Sequence, residues 1–214
     1  KRFKKDKYGL CASIYDDEEN NTKTITFDGN CEGKRGQRRS GSIIVTYSEK
    51  KDEVGSFRQV NFDNFYLNDV KIEGVRRYEI ISIEEGADKT IQMSLENGKM
   101  TYPDGSFSSR SKSITKIIVY ENDKYFSTSL IGNASGLDSS GSSFKMKITS
   151  PIVFLNNCLD QLNNRKGIIP VAGIKTYTKD NYEIIIDFGD EECDFLADIT
   201  KEGITETVDL RKVH

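Results

Sequence analysis

The sequence predicts an all-β protein, an antiparallel meander forming a curled or two-layer sheet with little helix. Three observations predict it. Runs rich in Ile, Val, Thr, Phe and Tyr recur along the whole chain, and such residues fit a pleated, half-buried surface. Asn, Asp and Gly punctuate those runs at short intervals, as hairpin turns require. Helical spacing of apolar residues is confined to one stretch, Leu155 to Asn164, where it lasts barely two turns.

The elements follow in order. Thr24-Ile25-Thr26-Phe27 runs into the turn Asp28-Gly29-Asn30, and Gly41 opens the strand Ser42 to Tyr47. Phe57 to Phe62 is a strand, and Phe65-Tyr66-Leu67 follows a break at Asp63-Asn64. Val70-Lys71-Ile72 is a short strand between the turns Asn68-Asp69 and Gly74, and Arg77 to Ile83 alternates well. Thr90 to Leu95 and Lys99 to Tyr102 flank Asn97-Gly98, which carries the strongest short hairpin signal in the chain. Pro103-Asp104-Gly105 is a second turn, because Pro presets φ and Gly accepts φ > 0. Ser113 to Tyr120, Tyr125 to Ile131 and Ser143 to Ile148 are further strands, and Asn133 to Ser142 reads as a mobile hairpin tip. Strands resume over Ile168 to Thr176, Tyr182 to Phe188, Asp194 to Thr200 and Glu206 to Leu210. Links of turn length and the lack of crossover helices make consecutive strands pair antiparallel. The expected division is a main β-meander domain over 1–150, with 1–20 a flexible lead, and a smaller C-terminal β unit over 151–214, continuous with it or separate.

Composition closes several functional classes. The 214 residues contain one histidine, His214. Ser-His-Asp hydrolysis, Cys-His proteolysis and His-ligated zinc therefore have no donor within the strands. The 31 Lys and Arg residues against 34 Asp and Glu give a net charge of −3, without the basic excess of a nucleic-acid binder. No apolar run approaches the roughly 18 residues of a membrane-spanning helix. Cys11, Cys31, Cys158 and Cys193 show no CxxC spacing. Cys11–Cys31 with Cys158–Cys193 is the local choice among three pairings, and four reduced thiols are the alternative.

Several motifs point to chemistry and meet a structural competitor. Asp187-Phe188-Gly189 spells a kinase metal-binding triplet, yet the glycine-rich loop and catalytic loop are missing. Gly29 to Lys34 has the wrong spacing for a P-loop, and Arg35 stands where Mg²⁺ needs Ser or Thr. Lys34, Arg35, Arg38 and Arg39 form a basic loop cluster. It suits an anionic ligand such as an acidic glycan or phosphate, against which stands a merely solvated loop. Asp187, Asp190 and Asp194 head an acidic turn and are the candidate Ca²⁺ ligands, although the spacing is not that of an EF-hand. Asn64, Tyr66 and Asn68, beside Phe62 and Phe65, suit stacking on and hydrogen bonding to a sugar. Alternation into the core is the competing reading of the rings. Asp16-Asp17-Glu18-Glu19 reads as a solvated loop.

One stretch carries a resemblance. Phe27-Asp28-Gly29-Asn30-Cys31, Arg39 to Tyr47 and Phe62 to Gly74 resemble a family of uncharacterised secreted lipoproteins of Bacteroidetes-type bacteria. Ile186-Asp187-Phe188-Gly189-Asp190, Cys193-Asp194 and Ala197 to Thr200 are similar to that family's closing motif, and Glu191-Glu192 departs from its small turn. The resemblance implies a β-rich, exported protein of the periplasm or cell surface, lipid-anchored upstream of Lys1. It implies no activity, and its oxidising compartment favours disulfides.

The functional expectation is a non-catalytic cell-envelope binding or interaction module. Its candidate ligand-binding residues are Arg35, Arg38, Arg39, Asn64, Tyr66 and Asn68, and its partner is a glycan or an envelope protein, not nucleic acid. No cofactor is expected, with Ca²⁺ the one cation considered. The alternatives are a carboxylate-dependent glycan-active enzyme, whose two acids stand about 5–10 Å apart, and an assembly protein acting through sheet edges.

Overall fold

The computed structural model describes residues 12–33, 36–84, 88–122, 124–158 and 169–212. They form thirteen strands: β1 (Ala12–Asp17), β2 (Thr22–Glu32), β3 (Arg38–Tyr47), β4 (Phe57–Leu67), β5 (Val70–Ile83), β6 (Lys89–Thr101), β7 (Phe107–Glu121), β8 (Lys124–Leu137), β9 (Ser143–Leu155), β10 (Ala172–Lys179), β11 (Tyr182–Asp190), β12 (Leu196–Lys201) and β13 (Ile204–Asp209). Among the described residues they lie in one sheet in chain order, β1 to β13. This is the predicted all-β antiparallel meander. Among the described residues, the stretch read as helical contributes a single 3₁₀ turn at 156–158.

Turn chemistry explains the links. Leu67 pairs with Val70, leaving Asn68-Asp69 as a two-residue loop with φ of 50° and 66°. Two positive φ angles make a type I′ turn, whose twist matches that of the flanking strands. Glu202 and Gly203 close β12–β13 in the same way, with φ of 52° and 79°. At the β6–β7 turn the Asp104 carboxylate accepts hydrogen bonds from the Ser106 amide and hydroxyl. Those bonds hold its pKa below the ordinary carboxylate value.

The structure corrects several expected turns. Asn97-Gly98 is not a hairpin: it lies inside β6, with Asn97 at φ 51°. Gly29, Gly41, Asn64 and Gly74 likewise sit inside β2, β3, β4 and β5, all at positive φ. Register shifts accompany them, between Asp28 and Cys31, between Ser40 and Ser42, and between Asn61 and Phe65. A bulge needs the same left-handed backbone as a tight turn, so Asn and Gly signal both. The expected tip at Asn133 is also strand, since β8 runs to Leu137. β1 carries too little alternation to be legible, yet it pairs with β2 along its length, Ile14 opposite Ile25.

The chain forms two compact units, one of residues 1–80, 93–111 and 136–141, the other of 81–92, 112–135 and 142–214. Strands β5 to β8 contribute to both. The division expected near residue 150 falls within β9. The first unit buries Ile25, Phe27 and Phe65, with Ile14, Ile43, Phe62, Leu67 and Ile72 packed against them. The Phe27 and Phe65 rings meet at a tilted 5.7 Å. The second unit buries Cys158, Val171 and Phe195. Its Cys158–Cys193 disulfide, with Cα atoms 5.4 Å apart, is the local pairing expected from sequence. Cys11 lies outside the described residues, and the Cys11–Cys31 expectation with it.

Candidate functional site

The first unit carries an open concavity of about 410 Å³, lined by Asn61, Phe62, Glu73, Gly74, Val75, Asn97 and Lys99. It forms where the sheet ladder is interrupted. Asn61 pairs with Val75 and Phe65 with Ile72, and the residues between them fall out of register. Gly74 has φ 118°, and a Cβ there would stand 2.7 Å from the Cα of Gly98 on β6. Only glycine lets the two backbones approach this closely. The register shift between β4 and β5 and the close approach of Gly74 to Gly98 on β6 therefore build the concavity, and such irregularities are a common device for re-aiming side chains at a site.

Its lining mixes four kinds of chemistry. Asn61 and Asn97 bring carboxamides, which both donate and accept, Glu73 accepts, and Lys99 donates. Phe62 supplies an apolar ring that leans on the core, 5.6 Å from the Phe65 ring. Glu73 accepts a hydrogen bond from Lys71 Nζ at 2.9 Å, which raises the lysine's pKa above its ordinary value. The Lys99 ammonium stands over the Phe107 ring, 4.7 Å from its centroid.

The residues singled out from sequence are placed differently. Asn68 serves the β4–β5 turn: its Oδ1 accepts from the Arg38 amide at 2.9 Å, and its own amide donates to the Arg38 carbonyl at 2.9 Å. The Arg38 guanidinium pairs with Asp69. Arg39 donates to Gln37 Oε1 at 3.1 Å and lies over the Phe27 ring. Both arginines thus have partners within the fold, and Arg35 lies outside the described residues. Asn64 occupies the β4 bulge, its side chain donating to Asp63. Tyr66 is exposed, with Ser40 and Lys71 as its cross-strand neighbours. Phe65 is buried and Phe62 half-buried, so the core reading of those rings holds for Phe65 and in part for Phe62.

The acidic turn is organised by backbone hydrogen bonds. Asp187 accepts from the Gly189 amide at 3.0 Å, and Asp194 from the Leu196 amide at 2.9 Å. Asp190 is exposed at the end of β11. Among the described residues no three His, Cys, Asp or Glu side chains are grouped to hold a metal ion.

Sequence reasoning missed Asn61, Glu73, Asn97 and Lys99. Their signal was present in the left-handed residues Asn64, Gly74 and Asn97, which read as ends of strands instead of kinks within them. Among the described residues, no helix is long and apolar enough to cross a membrane. Comparisons with protein-family models, with curated proteins and with solved structures find no match to this chain.

Proposed function

We propose that the chain is a non-catalytic binding module of the bacterial cell envelope, and that the concavity on β4–β6 receives a hydroxyl-rich ligand such as a glycan. The observation that carries this reading is the lining itself: two carboxamides, one carboxylate, one ammonium and one aromatic ring around an open depression. Sugars are bound by that combination, their hydroxyls by groups that donate and accept and their apolar faces by a ring. An open depression suits one stretch of a long polymer better than an enclosed small molecule. Glycoside hydrolysis ordinarily uses two facing carboxyl groups, and Glu73 is the one acid in the lining among the described residues. That composition favours binding over turnover. Export and a lipid anchor upstream of Lys1 complete the proposal, supported by the resemblance in sequence and by the Cys158–Cys193 disulfide, which persists in oxidising compartments.

The test is a glycan array followed by titration of any hit, with product analysis after long incubation. Saturable binding that weakens about tenfold in Asn61→Ala or Lys99→Ala, at unchanged melting temperature, is the expected outcome. A tenfold loss corresponds to about 1.4 kcal/mol, the scale of one or two lost hydrogen bonds. Reproducible cleavage of any glycan would overturn the non-catalytic reading.

A further inference from the structure

Among the described residues β13 is the last strand of the sheet, and its arrangement bears on assembly. Its partner β12 covers one side, with Leu196 opposite Asp209 and Lys201 opposite Ile204, without a register shift. The phase of its hydrogen bonds follows from one contact: the Leu210 amide donates to the Phe195 carbonyl at 2.9 Å. In an antiparallel pair, hydrogen-bonded positions alternate. Ile204, Glu206 and Val208 therefore turn their backbone groups toward β12, and Thr205, Thr207 and Asp209 turn theirs to the outer edge. The Asp209 carbonyl accepts from the Lys212 amide at 3.0 Å, so the free stretch ends there.

Edge strands are usually protected by lysine, proline, a bulge or inward-pointing charge. Between Ile204 and Asp209 there is no Lys, Arg or Pro and no bulge. Ile204 at its start is 76% exposed. Threonine side chains brace the strand from within: the Thr205 and Thr200 hydroxyls share a hydrogen bond of 2.7 Å, and the Thr207 hydroxyl donates to Asp198. The edge is held extended, and its outward amides and carbonyls need no rearrangement to pair.

We propose that β13 is an assembly edge that pairs antiparallel with β13 of a second copy of this chain, about a two-fold axis through Thr207. Charge selects the register. Outward-facing residues must meet outward-facing residues, so Thr207 meets Thr205, Asp209 or its own copy, and pairing with Asp209 would set Thr205 opposite Arg211, beyond the stretch that ends at Asp209. Pairing Thr207 with Thr205 would set Glu206 directly opposite Glu206, and like charges at that spacing destabilise a sheet. Pairing Thr207 with Thr207 sets Glu206 opposite Val208, Thr205 opposite Asp209, and the exposed Ile204 beside Leu210. That register opposes no like charges and covers the apolar side chain at the edge. It is also isologous, as closed dimers require.

Sedimentation of the whole chain over a wide concentration range tests the proposal, together with non-reducing electrophoresis of Thr207→Cys and Glu206→Cys. The expected results are a reversible monomer–dimer equilibrium and several-fold more crosslinked dimer from Thr207→Cys than from Glu206→Cys. Thr207→Pro removes an outward amide that bonds nothing in β12, and should abolish the dimer with the circular dichroism spectrum retained. Should Thr207→Pro fail to fold, the two cysteine variants decide alone. A chain monomeric at every concentration overturns the proposal, as does a dimer that survives Thr207→Pro in the folded state. Stronger crosslinking at Glu206→Cys, or an edge that captures a different protein in place of its own copy, does the same.

Discussion

Gly41 has no side chain because β4 leaves no room for one. A Cβ at this position would stand 1.9 Å from the carbonyl oxygen of Asn64, and its φ of +81° lies where L-residues rarely go. Gly41→Ala combines the clash with left-handed strain, each of order 1–3 kcal/mol. A loss of about 3 kcal/mol in urea unfolding is expected, and a variant within about 0.5 kcal/mol of the parent would show that the bulge relaxes freely. Asp209 illustrates the charged counterpart. Its carboxylate accepts two hydrogen bonds from the Arg211 guanidinium, and these hold its pKa well below the ordinary carboxylate range. A carboxylate with a depressed folded pKa stabilises the fold above its unfolded pKa of about 4, and that contribution fades as pH falls below it. Stability measured between about pH 6 and pH 2 should therefore fall more steeply in the parent than in Asp209→Asn. Identical slopes would contradict the pairing.

At the scale of elements, the same residue types make turns and bulges, and local sequence does not separate them. Asn68-Asp69 and Asn97-Gly98 look alike in the chain, yet the first closes a hairpin and the second kinks a strand. What separates them is tertiary. Asn68 is tied by hydrogen bonds to Arg38 on the neighbouring β3, and Gly98 lies against Gly74 of β5 and the Arg110 carbonyl of β7. Alternation made the strands legible from Ser42 to Tyr47 and from Arg77 to Ile83. The bulges were not legible, so β4, β5 and β6 read as shorter pieces, and the concavity between them went unseen. The disulfide was legible because Cys158 and Cys193 follow one another in the C-terminal part. It closes a span of 35 residues, and its removal is expected to cost about 4 kcal/mol by restoring chain entropy to the unfolded state. Urea unfolding of Cys158→Ala/Cys193→Ala measures this, and an unchanged midpoint would contradict a stabilising role.

For the whole molecule, the sheet raises the question of what shields its aromatic rings from water. Cationic side chains do part of that work: Arg77 lies 3.9 Å from the centroid of the Phe57 ring, Lys201 5.2 Å from Tyr182, and Lys175 5.3 Å from Phe188. Long stems cover apolar surface while their charged heads reach water. Lys175 bears a cost for this, because burial lowers its pKa. Such a surface is patterned throughout with donors and rings, so composition alone does not point to one site. The concavity on β4–β6 is distinguished by the interrupted ladder beneath it. The most direct test of the account is therefore amide-resolved NMR of the isotope-labelled chain, titrated with the strongest ligand from a glycan array. Saturable shifts centred on Asn61, Glu73 to Val75 and Asn97 to Lys99 are expected, with the ligand unchanged after the titration. Shifts centred elsewhere, or a ligand consumed during the experiment, would contradict it.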